Sequence, residues 1–481
     1  MAVDHFDVVI VGAGLSGIGA AWHLQKRCPT RTYAILEGRA EIGGTWSLFR
    51  YPGIRSDSDM YTLGYSFRPW KEAKAIADGP SILKYVNATA DDANIRHNIR
   101  FNHRVTKAEW STPEARWTVT AMRGDERVTY TCNFLMMCSG YYKYEAGYTP
   151  DFTGRERFKG TLIHPQHWPE ELDYTGKQVV VIGSGATAVT IVPEMAKTAG
   201  HVTMLQRSPT YVVSRPAEDA IANWLRKYLP AKLAYAITRW KNVSLQMIFY
   251  NRARKQPEEV KQAIISLVKK ELGPDFDVET HFTPRYNPWD QRLCLVPDSD
   301  LFAALRDKAA SVATDTIETF TETGIKLTSG KELPADIIVS ATGLDLQFLG
   351  GLEISVDGKK LDPGETYTFR GMMYSGVPNL ASVFGYTNAS WTLKCDLTCE
   401  HVCRLLNHME AHNLKIATPR VGETDMAQEP WLDFSSGYVT RSLARFPKQG
   451  GRKPWKLNQN YALDIMTLKF GKIDDPELEL V

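Results

Sequence analysis

The sequence predicts an α/β fold of two Rossmann-like dinucleotide-binding domains with a helical insertion, and three observations carry that prediction. A glycine-rich turn, Gly12-Ala-Gly14-Leu-Ser-Gly17, joins a continuous apolar run to a helical pattern. A second turn of the same kind opens at Gly183. Between residues 217 and 272, Leu, Ile, Trp and Tyr recur at helical spacing. The expected partition gives 1–142 with 344–481 to the first domain, 143–216 with 282–343 to the second, and 217–281 to the insertion.

Size and composition agree. A chain of 481 residues is too long for one ordinary core and calls for two or three domains. Hydrophobic residues at 43% and charged residues at 23% are the proportions of a soluble globular protein. A formal charge of +2 gives no general attraction to nucleic acid. No apolar run approaches the ~18 residues that span a bilayer, and the lead Met1-Ala-Val-Asp-His-Phe-Asp7 carries no export signal. Seven cysteines, an odd number spread over a long chain, do not form a disulfide framework. The expectation is a cytoplasmic protein with reduced thiols. Cys395, Cys399 and Cys403 fall near one helix face, but their spacing is not that of a zinc site. Buried helix packing is expected there, and no metal.

Taken in order, Asp7-Val-Val-Ile-Val11 suits a parallel strand buried on both faces. In the turn that follows, backbone N–H groups and the dipole of the Ile18–Gln25 helix can hold a pyrophosphate. Thr32–Glu37 reads as the next strand, and Glu37 lies 20 residues past Gly17, where a carboxylate accepts hydrogen bonds from a ribose. Gly43-Gly44-Thr45-Trp46 and Arg50-Tyr-Pro-Gly-Ile-Arg-Ser-Asp57 come next. The aromatics Tyr61, Tyr65, Phe67 and Trp70 are read as core, and residues 99–140 as a β-meander ending in Cys138-Ser-Gly140. Lys177–Ile182 leads into Gly183-Ser184-Gly185-Ala186-Thr187-Ala188, with alanine in the third glycine position. The strand after it ends in Gln206-Arg207-Ser208 in place of an acid. An acid there would repel a 2′-phosphate, whereas Arg207 can pair with it and Ser208 can donate. The first turn is therefore assigned to FAD and the second to NADPH. The stretch 217–272 carries eleven Lys/Arg against five Asp/Glu. Within it Ser244–Arg254 is both apolar and basic, which leaves peripheral contact with an anionic membrane surface open beside a plain solvated helix.

Between the two turns lies Phe158-Lys-Gly160-Thr-Leu-Ile-His164-Pro-Gln-His-Trp168-Pro169, a complete F-x-G-x-x-x-H-x-x-x-W-P pattern. It resembles the fingerprint of the type I Baeyer–Villiger monooxygenases. The resemblance runs through almost the whole chain and is greatest to the bacterial ethionamide-activating branch. It implies oxidation of ketones to esters or lactones by way of a C4a-peroxyflavin, together with oxidation of sulfides and thioamides. It also implies that Arg292, in Tyr286-Asn-Pro-Trp-Asp-Gln-Arg292, is the active-site cation, with Asp57 orienting it beside the flavin. Gly44, Thr45, Trp46, Val105 and Asn388 join the cofactor-contacting set on the same ground. Gln291 stands where many relatives have lysine. Flavin-containing or N-hydroxylating monooxygenases share both nucleotide sites, and Trp168-Pro169 argues against them. A flavin disulfide reductase is disfavoured because five residues separate Cys132 from Cys138. The fourth reading is a catalytically silent flavoprotein. The expected partners are a small ketone or sulfide and O2, with no nucleic acid.

Overall fold

The computed structural model describes residues 3–422, 426–432 and 434–481; Met1 and Ala2 of the N-terminal lead lie outside the described residues. The fold is mixed α/β and rests on two separate sheets. In the first, strand Asp4–Val11 pairs in parallel with Tyr33–Leu36 on one side and with Glu126–Met137 on the other. The antiparallel meander Arg104–Ser111, Arg116–Arg123 and Glu126–Met137 extends this sheet, and Leu380–Ser382 returns late in the chain to pair with Glu126–Met137. The second sheet is all parallel, in the order Ala310–Thr314, His201–Gln206, Gln178–Ile182, Ile337–Ser340, Thr161–Ile163. Val8–Val11, Tyr33–Leu36, Val179–Ile182 and Ile337–Ser340 are buried throughout, as parallel strands covered on both faces must be.

Helix Leu15–Arg27 packs on helix Trp391–Ala411. All seven cysteines are free and buried. Tyr61, Tyr65 and Trp70 belong to the core of the first sheet. The segment 217–281 is helical, with helices Ala220–Tyr228, Ala231–Lys255, Pro257–Leu272 and Val278–Phe282. Its helices divide between the two cores. Arg239 is buried against Asp396 at 3.6 Å and donates to the carbonyls of Tyr61 (2.9 Å) and Gly64 (2.7 Å). Ile265, Val268 and Leu272 pack instead into the core of the second sheet.

The chain crosses between the sheets twice, near 138–148 and 341–347, and the crossings bind each other. Lys143 N–H donates to Asp345 O at 2.9 Å, Gln347 N–H to Tyr141 O at 2.9 Å, and Tyr148 N–H to Gly343 O at 3.1 Å. The 158–169 segment is fastened over this junction. His164 Nε2 lies 3.1 Å from Gly343 O, while Gln166 N–H donates to His164 Nδ1 at 3.2 Å. A carbonyl only accepts, so the imidazole is neutral with its proton on Nε2. Burial accordingly holds the His164 pKa below its ordinary value, against the pull of the Gly343 carbonyl. Gln166 Nε2 donates to the carbonyls of Lys143 (2.7 Å) and Tyr144 (3.0 Å), and His167 Nε2 lies 3.0 Å from Glu145 O.

Candidate functional site

A single cavity of about 1100 Å³ runs between the sheets and takes in both glycine turns. At its first end the backbone of the turn is closed on itself. Gly12 has φ +101°, and a Cβ on Gly17 would sit 1.9 Å from the Gly12 carbonyl oxygen. Helix Leu15–Arg27 begins at Gly14 with no side-chain cap, so its first N–H groups are left for a ligand. Glu37 is buried beside the turn. Its Oε2 accepts from Ala13 N–H at 2.7 Å and its Oε1 from Arg39 N–H at 2.9 Å, and each oxygen keeps a lone pair for a hydroxyl. Burial raises its pKa, opposed by those two bonds. A turn with no room for a Cβ at Gly12 or Gly17, an uncapped helix and an acid at the next strand end together fit a dinucleotide.

The second end repeats the arrangement with a different rim. Gly183 has φ +136°, helix Ala186–Met195 is uncapped, and nothing lies within 4 Å of a Cβ placed on Gly185. The Ser184 hydroxyl is tied to Thr210 Oγ1 at 2.9 Å. Arg207 and Ser208 are exposed on the cavity wall. Among the described residues Arg207 has no carboxylate partner, which leaves it free for a phosphate. An acid does stand on this rim at Asp315, but hydrogen bonds from the Ser329 and Thr328 hydroxyls and the Thr316 N–H occupy it and hold its pKa down to about 2.

Asp57 and Arg292 meet on the wall of the same cavity, with Arg292 Nε 3.6 Å from Asp57 Oδ2. Arg292 is delivered by the turn Asn287–Asp290, in which Trp289 takes φ +72° and Asp290 Oδ2 accepts from Asn287 N–H at 3.2 Å. The Arg292 side chain is 43% exposed, and that exposure is to the cavity. Burial pushes the Asp57 carboxyl up, while Arg292 and then Arg55 pull it down. Arg55 is itself engaged by Asp300 at 2.5 Å, so Arg292 is the cation Asp57 has to itself. For Arg292 burial is the largest single influence and opposes the charge, but Asp57 together with Tyr141, Tyr438 and Tyr142 outweighs it, and the guanidinium stays charged.

The cavity wall brings together Gly12, Gly14, Leu15, Ser16, Glu37, Gly44, Thr45, Trp46, Asp57 and Val105 with Gly183, Ser184, Gly185, Ala186, Thr187, Arg207, Ser208 and Arg292. Gly17 and Ala188 lie behind the wall, where their small size lets the helix approach the strand. Asn388 is not on the wall. Its side-chain amide donates to Gln459 O at 2.9 Å, and Tyr386, Ala389 and Trp391 line the cavity instead. Four cavity residues that escaped the sequence reading stand out, Tyr141, Tyr142, Tyr438 and Arg441. Tyr141 and Tyr142 follow the Cys138-Ser-Gly140 strand end directly, and that position was the available signal. Their hydroxyls are 2.9 Å apart, and Tyr141 stacks on Trp391, whose Nε1 donates to Ser16 Oγ at 2.9 Å. Tyr438 and Arg441, the latter 3.5 Å over the Tyr148 ring, come from a C-terminal segment with no pattern to announce them.

Comparison with known proteins fits this geometry. The model of the flavin-binding monooxygenase-like family matches residues 65–357, and that of the NAD(P)-binding Rossmann-like domain matches residues 10–77. The FAD-containing monooxygenase EthA of Mycobacterium tuberculosis is 56% identical over 99% of this chain and 97% of its own length. The probable FAD-binding monooxygenase AlmA of Acinetobacter baylyi is 49% identical over 98% of this chain and 95% of its own. Among solved structures, a cyclohexanone monooxygenase superposes with a TM-score of 0.78 at 20% identity, covering 100% of both chains. An oxidised steroid monooxygenase bound to NADP gives 0.77 at 23% identity, covering 99% of both chains. At those identities the structures speak to the fold.

Proposed function

The chain belongs to the flavin-binding monooxygenase-like family, and from that premise we propose that it is an FAD- and NADPH-dependent Baeyer–Villiger monooxygenase acting on ketones, with sulfides and thioamides as further substrates. The observation that carries the reading is the Asp57–Arg292 pair, held at 3.6 Å on the wall of the cavity that both glycine turns share. The domains would divide as the sequence expects, with FAD at the first turn and NADPH at the second.

Bound FAD, reduced by NADPH, supplies the oxygen-activating chemistry. The protein supplies position and charge. The N–H groups at Gly14–Ser16 would hold the FAD pyrophosphate, and Glu37 would accept from its ribose. Arg207 and Ser208 would read the 2′-phosphate of NADPH. Arg292 gives the cavity a fixed positive charge at every working pH, suited to negative charge that develops beside a carbonyl. Asp57 sets the direction of that guanidinium. Tyr141, Tyr142 and Trp391 give the neighbouring wall an aromatic surface for an apolar substrate, and closure of the junction over bound coenzyme would keep water out.

The test is a panel of ketones and sulfides with NADPH, oxygen consumption and product identification. Esters or lactones formed in step with NADPH oxidation are expected. A protein that forms only N-oxides or hydroxylamines from amines, or only hydrogen peroxide with every ketone, is not a Baeyer–Villiger enzyme.

A further inference from the structure

The outer side of the helical segment takes no part in the site. Helices Ala220–Tyr228 and Ala231–Lys255 pack against each other across the Leu229-Pro230 turn. Their inner faces are buried through Ala222 and Leu225 on the first and Ala234, Tyr235, Thr238 and Val243 on the second. The opposite face of such helices is ordinarily polar. Here it is apolar: Ile221, Trp224, Tyr228, Leu233, Ile237 and Trp240 are 42–70% exposed. Steps of three and four residues keep each set on one side of its helix.

The charge around this face is equally one-sided. Residues 220–257 contain eight Lys/Arg and no Asp/Glu, in a chain whose totals are 57 and 55. Arg239 is consumed by Asp396 and Lys241 by Asp219. Lys227 and Lys232 are exposed on either side of the inter-helix turn, with no ion-pair partner among the described residues. We infer that this helix pair is a membrane-contact surface, which beds Trp224, Ile237 and Trp240 in the headgroup region of an anionic lipid bilayer and sets Lys227 and Lys232 against lipid phosphates.

Three arguments select that occupant. An apolar face flanked by lysines, with tryptophan and tyrosine on it, has the composition of helices that lie in the bilayer interface. Among the described residues no helix is long and apolar enough to cross a membrane, so the contact is with its surface. A second copy of the chain is a poor match, because a two-fold pairing would set the exposed Lys227 and Lys232, which have no ion-pair partner among the described residues, on the same seam as their own copies. The inference does not depend on which reaction the enzyme performs.

Flotation of the full-length holoenzyme with vesicles tests it. Protein should rise with vesicles of equal parts phosphatidylcholine and phosphatidylglycerol, less so at high salt, and stay behind with phosphatidylcholine alone. The variant Ile221→Ser/Trp224→Ser/Ile237→Ser should lose roughly tenfold or more of its vesicle affinity while keeping its melting temperature and flavin content. Lys227→Glu/Lys232→Glu changes only exposed side chains and should lose binding as well, so a poorly folded serine variant leaves the proposal open to refutation. Failure of the parent to bind anionic vesicles would overturn it, as would unchanged binding in the lysine variant. A parent that sediments as a dimer without lipid, with a monomeric serine variant, would assign the face to a second copy instead.

Discussion

Asp57 and Arg292 each need the other's charge, because burial acts against the ionised form of both. At 3.6 Å the pair is too long for a strong hydrogen bond, so it orients the guanidinium and leaves its donors for something else in the cavity. Arg292→Ala should therefore retain flavin and NADPH-driven reduction, while ester formed per NADPH falls below detection and oxygen goes to hydrogen peroxide. Lysine keeps the charge without the planar fork and should rescue only weakly. A coupling ratio near that of the parent in the alanine variant would remove Arg292 from the reaction. Arg207 is the corresponding residue for coenzyme choice. Losing a charge-assisted phosphate contact costs on the order of 1.5–3 kcal/mol, so Arg207→Ala should raise the KM for NADPH by roughly tenfold or more. The KM for NADH should barely move, and Gln291→Lys should sharpen the preference for NADPH. Equal effects on both coenzymes would show that Arg207 reads something other than the 2′-phosphate.

At the level of elements, the 158–169 segment works as a clasp over the two crossings. It grips one crossing through Gln166 and His167 and the other through His164. The His164 ring also fills the space beside Gly147, where even a Cβ would come within 2.0 Å of it. His164→Ala should then slow turnover and expose the 140–148 crossing to limited proteolysis, with flavin content unchanged. Full activity with an unchanged digestion pattern would mean that the clasp has no part in catalysis. Both strand–turn–helix units were legible in the sequence because their signals are local, an apolar run and a fixed glycine spacing. The insertion was legible as helix for the same reason, through its 3.6-residue period. Its division between two cores was not, since that rests on Arg239 meeting Asp396, 157 positions away. Asp57 and Arg292 share no local pattern either, and only the family resemblance brought them together. Asn388 stands off the cavity wall because the carbonyl of Gln459, far along the chain, holds its amide.

Buried polar side chains on one helix, Trp391–Ala411, tie distant parts of the chain together. Lys394 meets Asp464 at 2.6 Å, Asp396 meets His23 at 3.3 Å and Arg239 at 3.6 Å, and His401 Nδ1 donates to Leu468 O at 2.8 Å. The helix thus joins the first glycine-turn helix, the inserted helices and the C-terminal segment. His401 Nε2 accepts from Arg370 at 3.3 Å, so the ring must be neutral. Burial first, and then the Arg370 charge, hold its pKa down to about 3. The unfolded chain would take up a proton at an ordinary histidine pKa of about 6.5. Protons therefore favour the unfolded state between those values, and the contribution of His401 is complete above about pH 6.5 and lost as pH falls towards 3. The slope is ~1.4 kcal/mol per pH unit, or about 2 kcal/mol between pH 6.5 and 5. Asp396, also held low, adds a loss of the same sign below the ordinary carboxylate range. Glu37 and Asp57, held high by burial, act the other way and favour the folded state as pH falls through their raised values. Comparing the parent with His401→Gln isolates the histidine, since the amide can donate to Leu468 O and accept from Arg370 without titrating. The urea midpoint of the parent should fall between pH 6.5 and 5 more steeply than that of the variant. The same slope in both would place the acid sensitivity elsewhere than in His401.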